Sequence, residues 1–250
     1  MNELEALLVL LAGAAAGGIN VVVGSGTLIT FPVLLAVGYS PLVANVSNTL
    51  GLVPGSVAGA FGYREELRHH RRRLAGFACA SAAGGLVGAI LLLTLPAGAF
   101  EVIVPGLVAI AVLLVAVQPL ISRGLGDEPG SARRHGGPLL LGLIFATGVY
   151  GGYFGAAQGV ILIGVMGLLL SDGIQDINAI KNVLSGLVNA VAAVVFVLVA
   201  DVAWGPVALI AVGSMIGGTV GARVARRLPP TALRGVVVVV GLVALILLLR

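Results

Sequence analysis

Long apolar runs, separated by short polar or basic segments, follow one another along almost the whole chain. Six runs are long enough to cross roughly 30 Å of hydrocarbon, which takes about 20 residues, and they lie at 42–61, 74–94, 102–121, 177–199, 205–222 and 232–249. Two further stretches, 4–37 and 138–170, have about 33 residues each. Such a stretch is too long for one helical crossing and short for two. We therefore predict an all-α polytopic membrane protein with about eight membrane helices.

The composition agrees with a membrane setting. Hydrophobic residues make up 59% of the chain and charged residues 10%, and the mean hydropathy is +1.14, far outside the range of a soluble domain. The net charge of +4 comes from arginines in short loops, which indicates topology rather than nucleic-acid binding. We expect a multi-pass protein of the cytoplasmic (inner) cell membrane. Its N-terminal run has Glu3 and Glu5 in place of basic residues, so we expect it to be retained.

The chain repeats itself at an offset of 133 to 134 residues. The matching positions are Gly17-Gly18 with Gly151-Gly152, Gly26 with Gly159, Asn48 with Asn182, Gly84-Gly85 with Gly217-Gly218 and Pro96 with Pro229. We divide the chain into a first repeat at 1–121, a basic cytoplasmic linker at 122–137 and a second repeat at 138–250. In each repeat, the long stretch described above comes first.

The arginine-rich loops predict the orientation of the repeats. Short basic loops stay in the cytoplasm, so the loops at 62–74, 122–137 and 222–231 are predicted to be cytoplasmic. The loops near Glu101 and Asp201 have no basic residue and are predicted to lie outside, as are both termini. Equivalent loops then lie on opposite sides, which predicts two inverted-topology repeats. Each first stretch must begin and end on one side, as a hairpin-like broken or re-entrant element does.

The segment "GGINVVVGSGTLITFP" (17–32) contains the features of such a break. We expect the chain to turn at Gly24 and Gly26 and at their counterpart Gly159. Unwound backbone at membrane depth is tolerated where it is buried in protein or lines a wet cavity, and its free amide groups suit an anion. Glycine ladders elsewhere predict close helix packing, at Gly51, Gly55 and Gly59, at Gly151, Gly155 and Gly159, and at Gly213, Gly217 and Gly221.

Polar residues within apolar spans are costly and mark transport pathways, although for each neutral residue alone a hydrogen bond between helices is the better explanation. Here they gather around the break and the start of the next helix in both halves. Inverted-repeat transporters hold their substrate at such places. The predicted substrate-binding residues are Asn20, Gly24, Ser25, Gly26, Thr27, Asn45, Ser47, Asn48, Gln158, Gly159, Asn178, Lys181 and Asn182.

Lys181 is the only lysine in the chain, and it follows Asp172 and Asp176. One interpretation is a lysine that snorkels to the cytoplasmic surface, neutralised by an aspartate. The other is a cation in the path of an anion, and we favour this one. No histidine has metal-ligand spacing and no nucleophile and base lie at a recognisable spacing. We therefore expect no metal, no cofactor and no enzymatic activity.

The segment "GGINVVVGSGTLITFPVLLAVGYSPLVANVSNTLGLVPGSVAG" resembles the N-terminal signature of the TauE/SafE sulfite exporter family. The segments "INAIKNVLSGLVNAVAAVVF" and "VALIAVGSMIGGTVGARVARRLPPTALRGVVVVVGLV" resemble its second repeat, so the resemblance covers nearly the whole chain. It implies movement of sulfite, organosulfonates or related anions. The leading hypothesis is a secondary transporter that exports a small, sulfur-containing anion. The alternatives are a passive anion channel of the same architecture and a non-transporting membrane subunit. The expected partners are the anion and the lipid bilayer, with a homodimer as an option and no nucleic acid.

Overall fold

A computed structural model describes residues 1–124, 137–224 and 230–248 of the chain. These residues form eleven α-helices and one short 3-10 turn, with no β-strand among them. The helices are α1 (Glu3–Val22), α2 (Thr27–Ala36), α3 (Pro41–Gly62), α4 (Arg64–Leu67), α5 (Arg71–Thr94), α6 (Ala97–Gly124), α7 (Pro138–Tyr153), α8 (Gln158–Leu169), α9 (Ile174–Val199), α10 (Trp204–Val224) and α11 (Pro230–Leu248). The all-α prediction is confirmed. Most of the predicted linker at 122–137 and half of the basic loop at 222–231 lie outside the described residues.

Five helices of the described chain are long and apolar enough to cross a membrane. They contain the segments Glu3–Val22, Arg73–Thr94, Gly98–Val117, Ile174–Val199 and Trp204–Arg223. Helix α3 also has 22 residues, but its asparagines, serines and threonine lower its hydropathy. The polytopic membrane character therefore holds, whereas the number of eight membrane helices stays a prediction.

A break interrupts the helix within both long stretches, as predicted. Helix α1 ends at Val22 and α2 begins at Thr27, while α7 ends at Tyr153 and α8 begins at Gln158. In the first break Gly24 has a φ of 82°, a left-handed conformation that glycine adopts without a steric penalty.

The second break differs from its predicted position. Gly155 and Ala157 carry the positive φ values, 78° and 57°. Gly159 lies inside the first turn of α8, with helical neighbours on both sides. The prediction that the chain turns at Gly159 was therefore wrong by two to four residues. Alanine is rarely left-handed, so the sequence around Ala157 did not indicate the turn.

Helices α1, α3 and α10 form one closely packed group. Gly13 and Gly17 of α1 lie against Ile210 and Ser214 of α10, so these two helices run in the same direction. The Ser214 hydroxyl donates to the carbonyl oxygen of Gly51 on α3 at 2.8 Å. Small residues at these contacts let the backbones approach, since no hydrophobic force drives helices together in lipid.

Helices α5, α7 and α9 form a second group with the same kind of contacts. Gly148 and Gly152 of α7 lie against Ser81 and Gly85 of α5, again in the same direction. The Ser81 hydroxyl donates to the carbonyl oxygen of Leu184 on α9 at 3.3 Å. The close helix packing predicted from glycine spacing is confirmed for the ladders Gly51, Gly55, Gly59 and Gly213, Gly217, Gly221. The predicted ladder Gly151, Gly155, Gly159 instead runs across the second break.

Helices α3 and α9 join the two groups and run antiparallel to each other. Tyr63 at the end of α3 accepts a hydrogen bond from Asn178 near the start of α9. Further along, Ser56 of α3 lies against Gly186 of α9. These two helices occupy equivalent positions in the sequence repeat, so their ends face opposite sides of the bundle.

We expect Gly217→Ala to lower the thermal stability of the protein in detergent. A Cβ at this position of α10 would lie 1.8 Å from the carbonyl oxygen of Ala14, and such overpacking costs about 1–3 kcal/mol. The matched control is Gly76→Ala on α5, where an added Cβ meets no atom within 4 Å. Equal unfolding midpoints for the two variants would contradict the packing described here.

Candidate functional site

The two helix breaks touch each other at two glycines. The amide of Gly159 donates to the carbonyl oxygen of Gly24 at 3.1 Å. A Cβ added to Gly24 would lie 2.5 Å from the Cα of Gly159, so neither position has room for a side chain. We call this contact and residues 23–26 and 154–159, which are the two breaks and the first two residues of α8, the junction. It brings the two halves of the chain together through direct backbone contact.

Lys181 of α9 covers the carboxyl end of α1. Its ammonium donates to the carbonyl oxygens of Asn20 and Val21, both at 3.0 Å. The last carbonyls of a helix have no partner within the helix and form its negative end. The Lys181 ammonium therefore supplies both hydrogen-bond donors and a compensating positive charge. The Lys181 side chain is 0% exposed.

Two amides of α9 add to this cap. Asn178 and Asn182 place their side-chain N–H groups 3.3 and 3.4 Å from the carbonyl oxygen of Val21. Asn178 also donates to the Tyr63 hydroxyl at 3.0 Å. Three side chains of one helix face thus converge on the end of a broken helix from the other half of the chain.

The second broken helix is capped by the first half in return. Asn45 of α3 donates to the carbonyl oxygen of Tyr153, the last residue of α7, at 3.0 Å. The capping group here is a neutral amide, whereas Lys181 supplies a charge at the end of α1. The two caps are therefore related in position and different in electrostatics.

The start of α2 is held against α3 by Asn48. Its amide donates to the Thr27 hydroxyl at 3.2 Å and its oxygen accepts a hydrogen bond from the Thr30 hydroxyl. The Phe31 ring of α2 packs edge to face against Phe154 in the second break, with ring centroids 5.3 Å apart. Polar and aromatic contacts thus fix the orientation of α2 beside the junction.

Asn20 connects the end of α1 to the start of α2. Its side-chain oxygen accepts a hydrogen bond from the Gly26 amide at 3.5 Å, and its amide group donates to the Ser56 hydroxyl at 3.5 Å. Gly26 is tightly enclosed, because an added Cβ would lie 2.6 Å from the carbonyl oxygen of Ala16. The first break is a compact turn.

Several buried polar atoms around the junction have no hydrogen-bond partner among the described residues. The Ser25 hydroxyl and the Gln158 amide nitrogen are potential donors, in side chains that are 1% and 3% exposed. The side-chain oxygens of Asn45 and Asn178 are potential acceptors. Buried polar groups are almost always satisfied, by protein, water or a ligand, so these atoms mark where water or a polar ligand would bind.

Ser47 is placed apart from the other predicted residues. Its hydroxyl accepts a hydrogen bond from the Ala203 amide at 3.0 Å, just before α10 begins. It therefore holds the α9–α10 connection. Because Ser47 is on the same helix as Asn45 and Asn48, sequence spacing alone did not show that Ser47 lies apart from the site.

The snorkelling interpretation of Lys181 is wrong. The side chain is fully buried, and no carboxylate of the described residues lies within ion-pair distance of its ammonium. Asp172 accepts a hydrogen bond from Arg73 at 2.8 Å, and Asp176 lies 3.4 Å from the His70 ring. The aspartates join the start of α9 to the start of α5 instead.

Tyr63 and Ser56 take part in this network and were not among the predicted residues. Tyr63 is buried although it lies in the arginine-rich loop 62–74, and a tyrosine there gave no recognisable signal. Ser56 lies next to Gly55 in a glycine ladder, which pointed to packing rather than to a polar contact.

The comparison with known families decides the identity of the chain. The family described as "Sulfite exporter TauE/SafE" matches residues 9–248. The chain belongs to this family. The match covers both helix breaks and all the site residues described above.

Relatives of this TauE/SafE protein are named as membrane transporters. The "Probable membrane transporter protein YfcA" of Escherichia coli (strain K12) is 26% identical over 91% of this chain and 83% of its own length. The "Probable membrane transporter protein ORF9" of Sinorhizobium sp is 27% identical over 95% of this chain and 90% of its own length. No solved structure is significantly similar to the chain. The protein is thus a membrane transporter by family, and these names specify no substrate.

We expect Lys181→Met to destabilise this TauE/SafE protein. The substitution leaves the carbonyl of Asn20 without its donor, while that of Val21 keeps the amides of Asn178 and Asn182. An unsatisfied buried polar group costs about 1–3 kcal/mol. Asn189→Met on the same helix is the control, because Asn189 makes no hydrogen bond to any described residue. Thermal unfolding in detergent should give a lower midpoint for Lys181→Met than for Asn189→Met. The reverse order would show that Lys181 does not cap α1.

Proposed function

We propose that this protein is a secondary transporter that exports a small, sulfur-containing anion of the sulfite or organosulfonate type. The observation that carries the proposal is the buried ammonium of Lys181, which lies between the two broken helices without a carboxylate partner among the described residues. A buried cation without a counter-ion is costly, and a transported anion supplies that counter-ion.

The Lys181 ammonium has capacity left for a ligand. Two of its three N–H donors are used by the carbonyls of Asn20 and Val21. The methylene chain of Lys181 runs beside the junction, because a Cβ added to Gly159 would lie 2.8 Å from its Cδ. The third donor is therefore available near the point where the two breaks meet.

The helices that leave the junction add to its attraction for anions. Both α2 and α8 begin there, and the amino end of a helix carries partial positive charge and free amide groups. Ser25 and Gln158, the chain neighbours of Gly24 and Gly159, supply unpartnered donors. A sulfur oxyanion has several acceptor oxygens and suits a site with several donors.

The arrangement of the helices supports two inverted repeats with alternating access. Equivalent helices α3 and α9 are antiparallel, and each caps the broken helix of the other half, through Asn45 on one side and Lys181 on the other. In inverted-repeat transporters, movement of one half against the other exposes a central site to each side in turn. Since the junction is buried, such a movement is what admits the anion.

The arginine-rich loops support a position in the cytoplasmic membrane with loop 62–74 inside. Arg68→Cys in a Cys79→Ser background should resist a membrane-impermeant maleimide added to intact cells, whereas Asp201→Cys should react. Both residues are exposed in the structure, so the difference in labelling reports the side of the membrane. Labelling of Arg68→Cys from outside would overturn both the orientation and the inverted repeat.

Anion counterflow in proteoliposomes tests the function. We expect the purified protein to exchange labelled sulfite or methanesulfonate saturably, and Lys181→Gln to lose most of this exchange because the amide donates hydrogen bonds without a charge. Asn189→Met should exchange at the parental rate. Linear, voltage-driven flux would indicate a channel, and flux no greater than in empty liposomes would indicate a non-transporting subunit.

A further inference from the structure

We infer that the junction selects anions that carry one negative charge, so that hydrogensulfite or a monosulfonate is transported and the dianions sulfite and sulfate are not. This inference rests on the proposed function, because it specifies the substrate of the same site. It follows from a count of the charges around the junction and from the hydrogen-bonding atoms that are left free there.

One charged side chain of the described residues, that of Lys181, lies beside the junction. Among the described residues, the side chains that hydrogen-bond around the two breaks are neutral amides and hydroxyls, with the exception of Lys181. The carboxylates that come shortly before Lys181 in the sequence have other partners. Asp172 lies 2.8 Å from Arg73, and Asp176 lies 3.4 Å from His70. The fixed charge of the site is therefore a single positive one.

A monoanion neutralises this charge, whereas a dianion leaves one negative charge in excess. An excess charge in a water-poor, membrane-embedded site has a large desolvation cost unless a second cation accompanies it. The amino ends of α2 and α8 supply only partial positive charge, and the carboxyl ends of α1 and α7 face the same region with the opposite sign. The helix ends therefore do not replace a second cation.

The unpartnered side-chain oxygen of Asn178 favours an anion that retains a proton. Its amide nitrogen donates to Val21 and Tyr63, which turns its side-chain oxygen away from both, and this buried oxygen has no donor among the described residues. Asn178 lies three residues before Lys181, on the same face of α9. Hydrogensulfite offers negative oxygens to the ammonium and a proton to such an acceptor, whereas neither the sulfite dianion nor a monosulfonate has a proton to donate. Among the monoanions, this oxygen therefore favours hydrogensulfite.

Exchange measurements in proteoliposomes with the unaltered protein test the inference. Methanesulfonate is a monoanion and sulfate a dianion throughout the neutral range, while sulfite changes from one to the other at its second ionisation. We expect sulfate to exchange at least about tenfold more slowly than methanesulfonate, the factor that a modest difference in binding free energy produces. The ratio of sulfite to methanesulfonate exchange should fall about tenfold per pH unit above the second ionisation of sulfite, in proportion to the hydrogensulfite fraction.

Two controls make the ratio interpretable. Methanesulfonate is the first control, because the ionisable side chains around the start of α9, Tyr63, His70 and Asp176, are the same for both anions, so the ratio reports the charge of the substrate. Liposomes without protein at each pH give the leak of uncharged sulfur dioxide, which is subtracted.

The outcomes separate the inference from the proposed function. Sulfate exchange as fast as that of methanesulfonate, or a sulfite ratio that stays constant or rises with pH, overturns the selection of monoanions and leaves the transporter in place. If no anion exchanges above the rate of empty liposomes, the proposed function fails and the inference fails with it. Slow sulfate exchange together with the falling sulfite ratio supports both.

Discussion

The cap that Lys181 places on the end of α1 is the contact on which the rest of the site depends. A helix that stops inside a membrane leaves backbone carbonyls without partners, and hydrocarbon offers no water to satisfy them. Here the ammonium of Lys181 and the amides of Asn178 and Asn182 meet the last carbonyls of α1. The break in the first half is thus stabilised by a helix of the second half, and neither half completes this part of the site alone.

Close packing is what allows the donors to reach their acceptors. Gly24 and Gly159 bring the two breaks into backbone contact, and glycines and serines let α1, α3 and α10 approach one another. Larger side chains at these points would separate the helices and lengthen the hydrogen bonds of the caps. The glycines and the buried polar groups of this protein therefore act together, because close packing lets protein groups make the hydrogen bonds that water would otherwise make.

The two halves share a geometry and differ in charge. Asn45 caps α7 with a neutral amide, while Lys181 caps α1 with a cation. This difference places the one charge of the two caps at the end of α1. Under the proposed inverted repeat, it supplies the charge that a transported anion would neutralise.

Much of this was predictable from the sequence because hydrophobic periodicity, small residues and misplaced polar residues are local signals. The runs of apolar residues predicted the helices, glycine spacing predicted the packed faces, and the polar segment at 17–32 predicted the first break. The predicted polar set included the capping residues, since an amide or ammonium inside an apolar span needs a partner wherever it lies.

The tertiary structure alone decided which partner each polar group has. Ser47 is on the same helix as Asn45 and yet binds the start of α10, and Lys181 reaches α1 rather than the nearby aspartates. The second break lies at Gly155 and Ala157 because the surrounding packing holds an alanine in a left-handed conformation that its own preference disfavours. The sequence shows which polar groups need a hydrogen-bond partner, but the residue that provides the bond comes from the other half of the chain. Contacts over such distances depend on the packing of whole helices and leave no signal in the spacing of residues along one of them.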